Sequence, residues 1–196
     1  MTNQFAILPS LRQQMRQQRR AFSSEQQHEH AQLLKHHLLA LSGWDSPRAV
    51  GVAFAFDGEI NPYFVVEALQ GLGHHLYLPV LQENKQLQFA HWHSDSVMVN
   101  NKFGILEPQE VTLIDIEQLD IVFMPLVAVD KQGNRMGMGG GYYDRTLGCS
   151  INRPYLVGMA HYCQLVEGLP VQSWDVPLDA LVTEQGMLFW QPWLWR

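Results

Sequence analysis

The chain has 196 residues, 46% of them hydrophobic and 16% charged, with a net charge of −6. That balance excludes a disordered chain and a collagen-like one, and it suits one globular domain with a sizeable core. The acidic total gives no general reason to bind nucleic acid, and two cysteines, Cys149 and Cys163, make neither a disulfide framework nor a metal motif.

The chain opens on a basic stripe. Leu11, Met15 and Phe22 share a helical face, which predicts a helix over about 10–21. Arg12, Arg16, Arg19 and Arg20 precede the first acidic residue, Glu25. They suit either a solvated helix face or a local phosphate contact. Ser23 or Ser24 starts a second helix that carries Leu33, Leu34, Leu38 and Leu41 and stops near Gly43. This basic helical segment, about 10–43, is expected to pack on a sheet within a single domain spanning 1–196.

The texture then changes. Short apolar runs at 49–56, 75–80 and 121–129 read as buried strands, with weak alternation at 87–93. Further strands are expected at 155–160, 180–183 and 186–190. A helix over 62–72 would use Asn61 as its cap and Pro62 at its first position. Helical residues also follow at 142–147. Strands and helices in alternation predict an α/β fold, a mostly parallel central sheet between helical layers. Ligands in such sheets bind beyond the carboxyl ends of the strands.

The segment GNRMGMGGGYYDR, residues 133–145, follows the strongest strand. Glycine loses the most conformational freedom on folding, so four glycines among Gly137, Met138, Gly139, Gly140 and Gly141 need a reason. A bare loop between strand and helix can turn several N–H groups toward an anion, phosphate above all. It can also be a tight structural turn. Its spacing matches neither the Walker A loop nor the dinucleotide fingerprint. Arg135 and Arg145 bracket it. Asp144 suits a helix start or a Mg²⁺ ligand. Tyr142 and Tyr143 suit a core or a stacking platform.

Other residues carry weaker signals. Asp57-Gly58-Glu59 follows the first strand, as a turn or as a carboxylate that grips a ligand's N–H. Asp175 and Asp179 lie near the last strands; one suits a turn, the other could join Asp144 at a metal. His91 and His93 lack a third ligand nearby. Trp190, Trp193 and Trp195 read as packing or an interface. No apolar run is long enough to span a bilayer, and cysteine usage suits a cytoplasmic home.

These pieces together resemble the 5-formyltetrahydrofolate cyclo-ligase, or methenyltetrahydrofolate synthetase, family. The resemblance runs through LRQQMRQQRRAFS, FDGEIN, FGILEP, DIVFMPLVAVDKQGNRMGMGGGYYDR and DVPLDALVTE, nearly the whole chain. It implies a Rossmann-like three-layer fold of the NagB/RpiA/CoA-transferase type. It implies an enzyme that uses ATP and Mg²⁺ to cyclise 5-formyltetrahydrofolate, with release of ADP and phosphate. Small molecules are then the partners, without nucleic acid or membrane, and a monomer or weak homodimer is expected. Arg135, Met136 and the loop through Tyr143 would hold ATP, with Arg12 reaching its phosphates. Asp144 and Asp179 would hold Mg²⁺. Glu59, Phe54, Phe103 and Tyr143 would bind the folate, and Arg135, Tyr143 and Asp144 would serve catalysis. Leu8 and Met138 stand where many relatives are basic, and Gly140 where some have lysine, which implies less positive charge at the triphosphate. A binding protein of the same fold, or an ATP-dependent ligase for another substrate, would share the loop.

Overall fold

The computed structural model describes residues 7–109 and 112–193. Helix α1 (Leu8–Arg20) leads into α2 (Ser24–Leu39), where Ser23 forms a reciprocal capping box with Gln26. Strand β1 (Ala49–Val52) is followed by α3 (Tyr63–Gly71), then β2 (His75–Leu81) and β3 (Leu87–His91). Short strands β4 (Met98–Asn100), β5 (Leu106–Pro108) and β6 (Leu113–Ile114) precede β7 (Ile121–Pro125). Then come β8 (Ala128–Asp130), β9 (Arg135–Met136), α4 (Tyr142–Gly148), β10 (Tyr155–Met159), β11 (Leu165–Val166), β12 (Ala180–Thr183) and β13 (Gly186–Phe189).

The main sheet has the order β13-β12-β10-β7-β1-β2-β3-β6. The five strands from β12 to β2 run parallel, while β13, β3 and β6 add antiparallel edges. The expected parallel centre is therefore present, with antiparallel flanks. The α2–α3 face holds Val50, Val52, Ile121, Phe123, Tyr155, Val157, Ala180 and Val182. The alternate residues Val122, Met124, Leu156 and Leu181 pack on the other face with Leu147 of α4. Both faces of these strands are covered, which is why they read as continuous apolar runs. Gly158 is a necessity of this packing: a Cβ there would lie 2.6 Å from Leu178 Cδ1 and 2.8 Å from Leu126 Cδ2.

Two strand expectations need correction. The 49–56 run pairs only as far as Val52, and 53–56 form the approach to a turn. The 121–129 run is two strands, not one. At Pro125 the chain has no N–H for a ladder, and β8 joins a separate three-stranded sheet with β9 and β11. Helix α1 packs there, with Met15 against Val127, Ala128 and Met136. No helix among the described residues is long and apolar enough to cross a membrane.

Strand order reverses between β1 and β7: β2 lies on one side of this pair and β10 on the other. Such a reversal leaves a crevice at the carboxyl ends of the two strands.

Candidate active site

The crevice is a cavity of about 770 Å³. Phe54 and Glu59, beyond β1, enter its wall with Pro125 and Leu126, at the end of β7. Arg12 from α1, Phe103 from the β4–β5 turn, and every residue from Arg135 to Arg145 complete it. The loop and folate-side residues expected from sequence thus meet in one place, although they come from four separate segments.

The glycine loop has a definite polarity. Gly137 O accepts from Arg12 Nε at 2.9 Å, and Gly140 O accepts from Arg145 Nη1 at 2.6 Å. Gly141 O accepts from Arg145 N at 3.1 Å. Among the described residues, no loop hydrogen bond is donated by the N–H groups of 137–141. Carbonyls are thus held by arginine while the amides stay open, the arrangement an anion requires. Gly139 (φ 95°) and Gly141 (φ 67°) occupy backbone regions that disfavour side chains. Helix α4 has two turns only, so the loop amides and arginines supply most of the field.

Arg135 sits at the base of the loop with 5% side-chain exposure and binds Asp144 Oδ1 through Nη2 at 2.8 Å. Burial pushes the Tyr143 phenol up, against the pull of Arg135, so it stays a neutral hydroxyl. Phe103 meets Tyr142 edge to face with centroids 6.1 Å apart, and Lys102 lies 5.5–5.6 Å above both rings. The lysine adds a cation near the cavity. Lys131 does not: it pairs with Glu167 at 2.8 Å. Leu8 and Met138 both line the cavity.

Glu59 is held from two sides. Its Oε2 accepts from Phe56 N at 3.1 Å, and its Oε1 lies 3.4 Å from Arg19 Nη1. Burial pushes its carboxyl up, against the pull of that arginine. Arg19 is fully buried and also donates to Asp57 O, Asp57 Oδ2 and Leu126 O. Arg16 and Arg20 bind the Asp57 carboxylate as well. The basic stripe therefore divides. Arg12 faces the glycine loop; the other three clamp the turn that presents Glu59, Arg19 fully buried while Arg16 and Arg20 keep part of their side chains in solvent. Asp57 is strained there, with φ 58°. The spacing of the arginines could not show that their counter-charge, Asp57, lay 37 to 41 residues away.

Asp179 does not reach the cavity. It receives a two-pronged ion pair from Arg153 at 2.5 and 2.7 Å, and accepts from Leu156 N at 2.8 Å. It directly precedes β12. A parallel crossover starts at the carboxyl end of the sheet and returns to the amino end, so that position faces away from the crevice. Asp175, four residues earlier, lines the cavity with Trp174. Its Oδ2 accepts from Gln172 N at 2.8 Å. Asp144 and Asp175 are, with Glu59, the carboxylates lining the cavity, and a hard cation would take oxygen ligands of this kind. Sequence order could have pointed to Asp175, because only the upstream part of a crossover stays near the carboxyl ends.

The tail residues pack. Trp190 Nε1 donates to Lys131 O at 2.8 Å and Trp193 Nε1 to Ser42 O at 3.0 Å; Trp195 lies outside the described residues. His91 and His93 are ring neighbours, with centroids 4.1 Å apart.

Fold and cavity together define an α/β protein whose glycine loop, with open amides, lines a cavity with aromatic walls at a strand-order reversal. The chain belongs to the 5-formyltetrahydrofolate cyclo-ligase family, whose model matches residues 7–184. It is 41% identical over 178 residues to 5-formyltetrahydrofolate cyclo-ligase of Haemophilus influenzae, covering 88% of this chain and 95% of that protein. The Escherichia coli K12 enzyme of that name is 40% identical over 181 residues, 90% of this chain and 100% of that protein. The solution structure of Aquifex aeolicus 5,10-methenyltetrahydrofolate synthetase superposes with a TM-score of 0.82 at 28% identity. It covers 95% of this chain and 94% of its own.

Proposed function

We propose how this cavity carries out the family's reaction, the ATP-dependent conversion of 5-formyltetrahydrofolate to 5,10-methenyltetrahydrofolate. The triphosphate lies along the open amides of 137–141, with Arg12, Arg135 and Arg145 nearby. The reduced folate fills the apolar side, between Phe54 and Phe103, with Glu59 accepting N–H groups of its pterin and Tyr143 at the boundary. The N5-formyl oxygen attacks the γ-phosphorus and ADP leaves. N10 then closes on the activated formyl carbon and phosphate departs, taking the oxygen with it. The chain's contribution is position and charge: two ligands held in line, and donors placed where phosphoryl charge develops.

Asp144 and Asp175 are the residues that would hold Mg²⁺. When bound, the cation would offset phosphate charge and orient the γ-phosphoryl group. Arg135 positions Asp144 through their 2.8 Å ion pair.

The observation that carries this reading is the polarity of the loop, carbonyls bound by arginine and amides open, in the cavity that Glu59 also lines. The test is a mixture of purified protein, 5-formyltetrahydrofolate, ATP and Mg²⁺, followed by the near-ultraviolet absorbance of the methenyl product. Absorbance is expected to rise only with all components present. ATP binding without that rise would replace this reading with a binding protein or a ligase for another substrate.

A further inference from the structure

Next to the Glu59 turn, and outside the cavity lining, three side chains from separate segments converge. They are His30 of α2, His161 just past β10, and Glu184 just past β12. His30 Nδ1 lies 2.9 Å from His161 Nδ1. One ligand-type atom from each of the three falls within 4.8 Å of the others. Bonds of about 2.0–2.2 Å in a tetrahedral zinc site put neighbouring donor atoms ~3.3 Å apart, inside that range.

His161 is fully buried. Burial, then His30, pushes its pKa down to about 4, which leaves a neutral imidazole, the metal-binding form. Its Nε2 is buried with no hydrogen-bond partner of standard geometry, and the Gly58 backbone is the polar group acting on it. A proton on Nε2 leaves the Nδ1 lone pair facing His30, as a histidine ligand braced by a backbone carbonyl does. Glu184 supplies the offsetting negative charge against nearby Arg19. The same carboxylate is steadied by Tyr162 N at 2.9 Å. The folate reaction uses none of these side chains.

We propose that His30, His161 and Glu184 form a binding site for a divalent transition cation of the zinc type, with water in the remaining position. The cation would tie the helical layer to the ends of two central strands, beside the arginine that braces Glu59. It is distinct from the Mg²⁺ position in both place and ligand type, since imidazole selects zinc, copper or nickel while all-oxygen sets select magnesium.

The experiment uses the full chain, stripped with chelator and desalted, then titrated with Zn²⁺ and separately with Co²⁺. Expected are one tight equivalent of Zn²⁺, a higher melting temperature, and visible Co²⁺ bands of tetrahedral type; Mg²⁺ should produce none of these. His30→Ala and Glu184→Gln change partly exposed side chains and should fold, and each should weaken Zn²⁺ by about tenfold or more. Two results would overturn the site. One is the lack of a stoichiometric Zn²⁺ equivalent. The other is Zn²⁺ binding that survives both substitutions and disappears with His93→Ala, which moves the metal to the surface cluster of His75, His91 and His93.

Discussion

Arg19 Nη1 stands 3.4 Å from Glu59 Oε1 while Nη2 of the same guanidinium stands 3.1 Å from Asp57 Oδ2. One fully buried cation thus joins α1, the turn after β1 and, through Leu126 O, the end of β7. Removing one member of a buried ion pair typically costs about 3–5 kcal/mol, because the other charge is left uncompensated. Arg19→Met should therefore lower stability by that order in denaturant unfolding. Near neutral pH it should also raise the folate KM more than the ATP KM, since Glu59 is freed while the glycine loop is not touched.

The carboxylates near the cavity separate by role. Asp144→Asn and Asp175→Asn should each reduce turnover about a hundredfold or more, the scale of losing one group that answers developing charge, and should raise the Mg²⁺ requirement. Asp175→Asn should melt close to the parent, whereas Asp144→Asn also strips nearly buried Arg135 of its ion-pair partner and should melt lower. Asp179→Asn should do the reverse of Asp175→Asn. It breaks the Arg153 pair and should destabilise the fold by about 1–3 kcal/mol, with an unaltered Mg²⁺ profile. Parallel melting curves and Mg²⁺ titrations check all three.

Gly139 has φ 95°, yet a Cβ there would find no atom closer than Arg12 Cζ at 3.8 Å. Any effect of Gly139→Ala is then conformational, about 1–2 kcal/mol of backbone strain. If the loop relaxes to relieve it, ATP should bind roughly tenfold more weakly while folate binding stays as it was. Calorimetry with each ligand distinguishes the two. Unchanged ATP affinity together with a stability loss would mean that the loop carries the strain without moving.

His74 is buried beside the Trp44 ring, with Arg48 and His75 as its charged and titratable neighbours, and its Nδ1 accepts from Arg48 N at 3.1 Å. Burial lowers its pKa below the ordinary 6.5. The unfolded chain therefore takes a proton first as pH falls, and stability is lost below about pH 6.5. The slope from this one group is at most ~1.4 kcal/mol per pH unit. His74→Asn should flatten the fall in denaturant midpoint between neutral pH and pH 5. An unchanged slope would assign the acid sensitivity to other groups.

Seven of the eight strands of the main sheet, the glycine loop and the residues around it were legible from the sequence, while the short strands β4, β5, β6, β9 and β11 were not. Period, turn chemistry and apolar runs are local properties, and the α/β pattern follows from them. The family resemblance added the ligands, which spacing alone does not contain. What needed the tertiary structure was the partner of each charge. Arg16, Arg19 and Arg20 read as a solvated face because Asp57 lies far along the chain. The resemblance implied Asp179 as a metal ligand; Asp175 lies only four residues earlier, and it is strand direction that puts Asp175 in the cavity and Asp179 outside it. The break at Pro125 was visible as a residue but not as a change of sheet. Coulomb attraction and burial act through space, so a one-dimensional pattern records which groups are charged and leaves to the fold which of them meet.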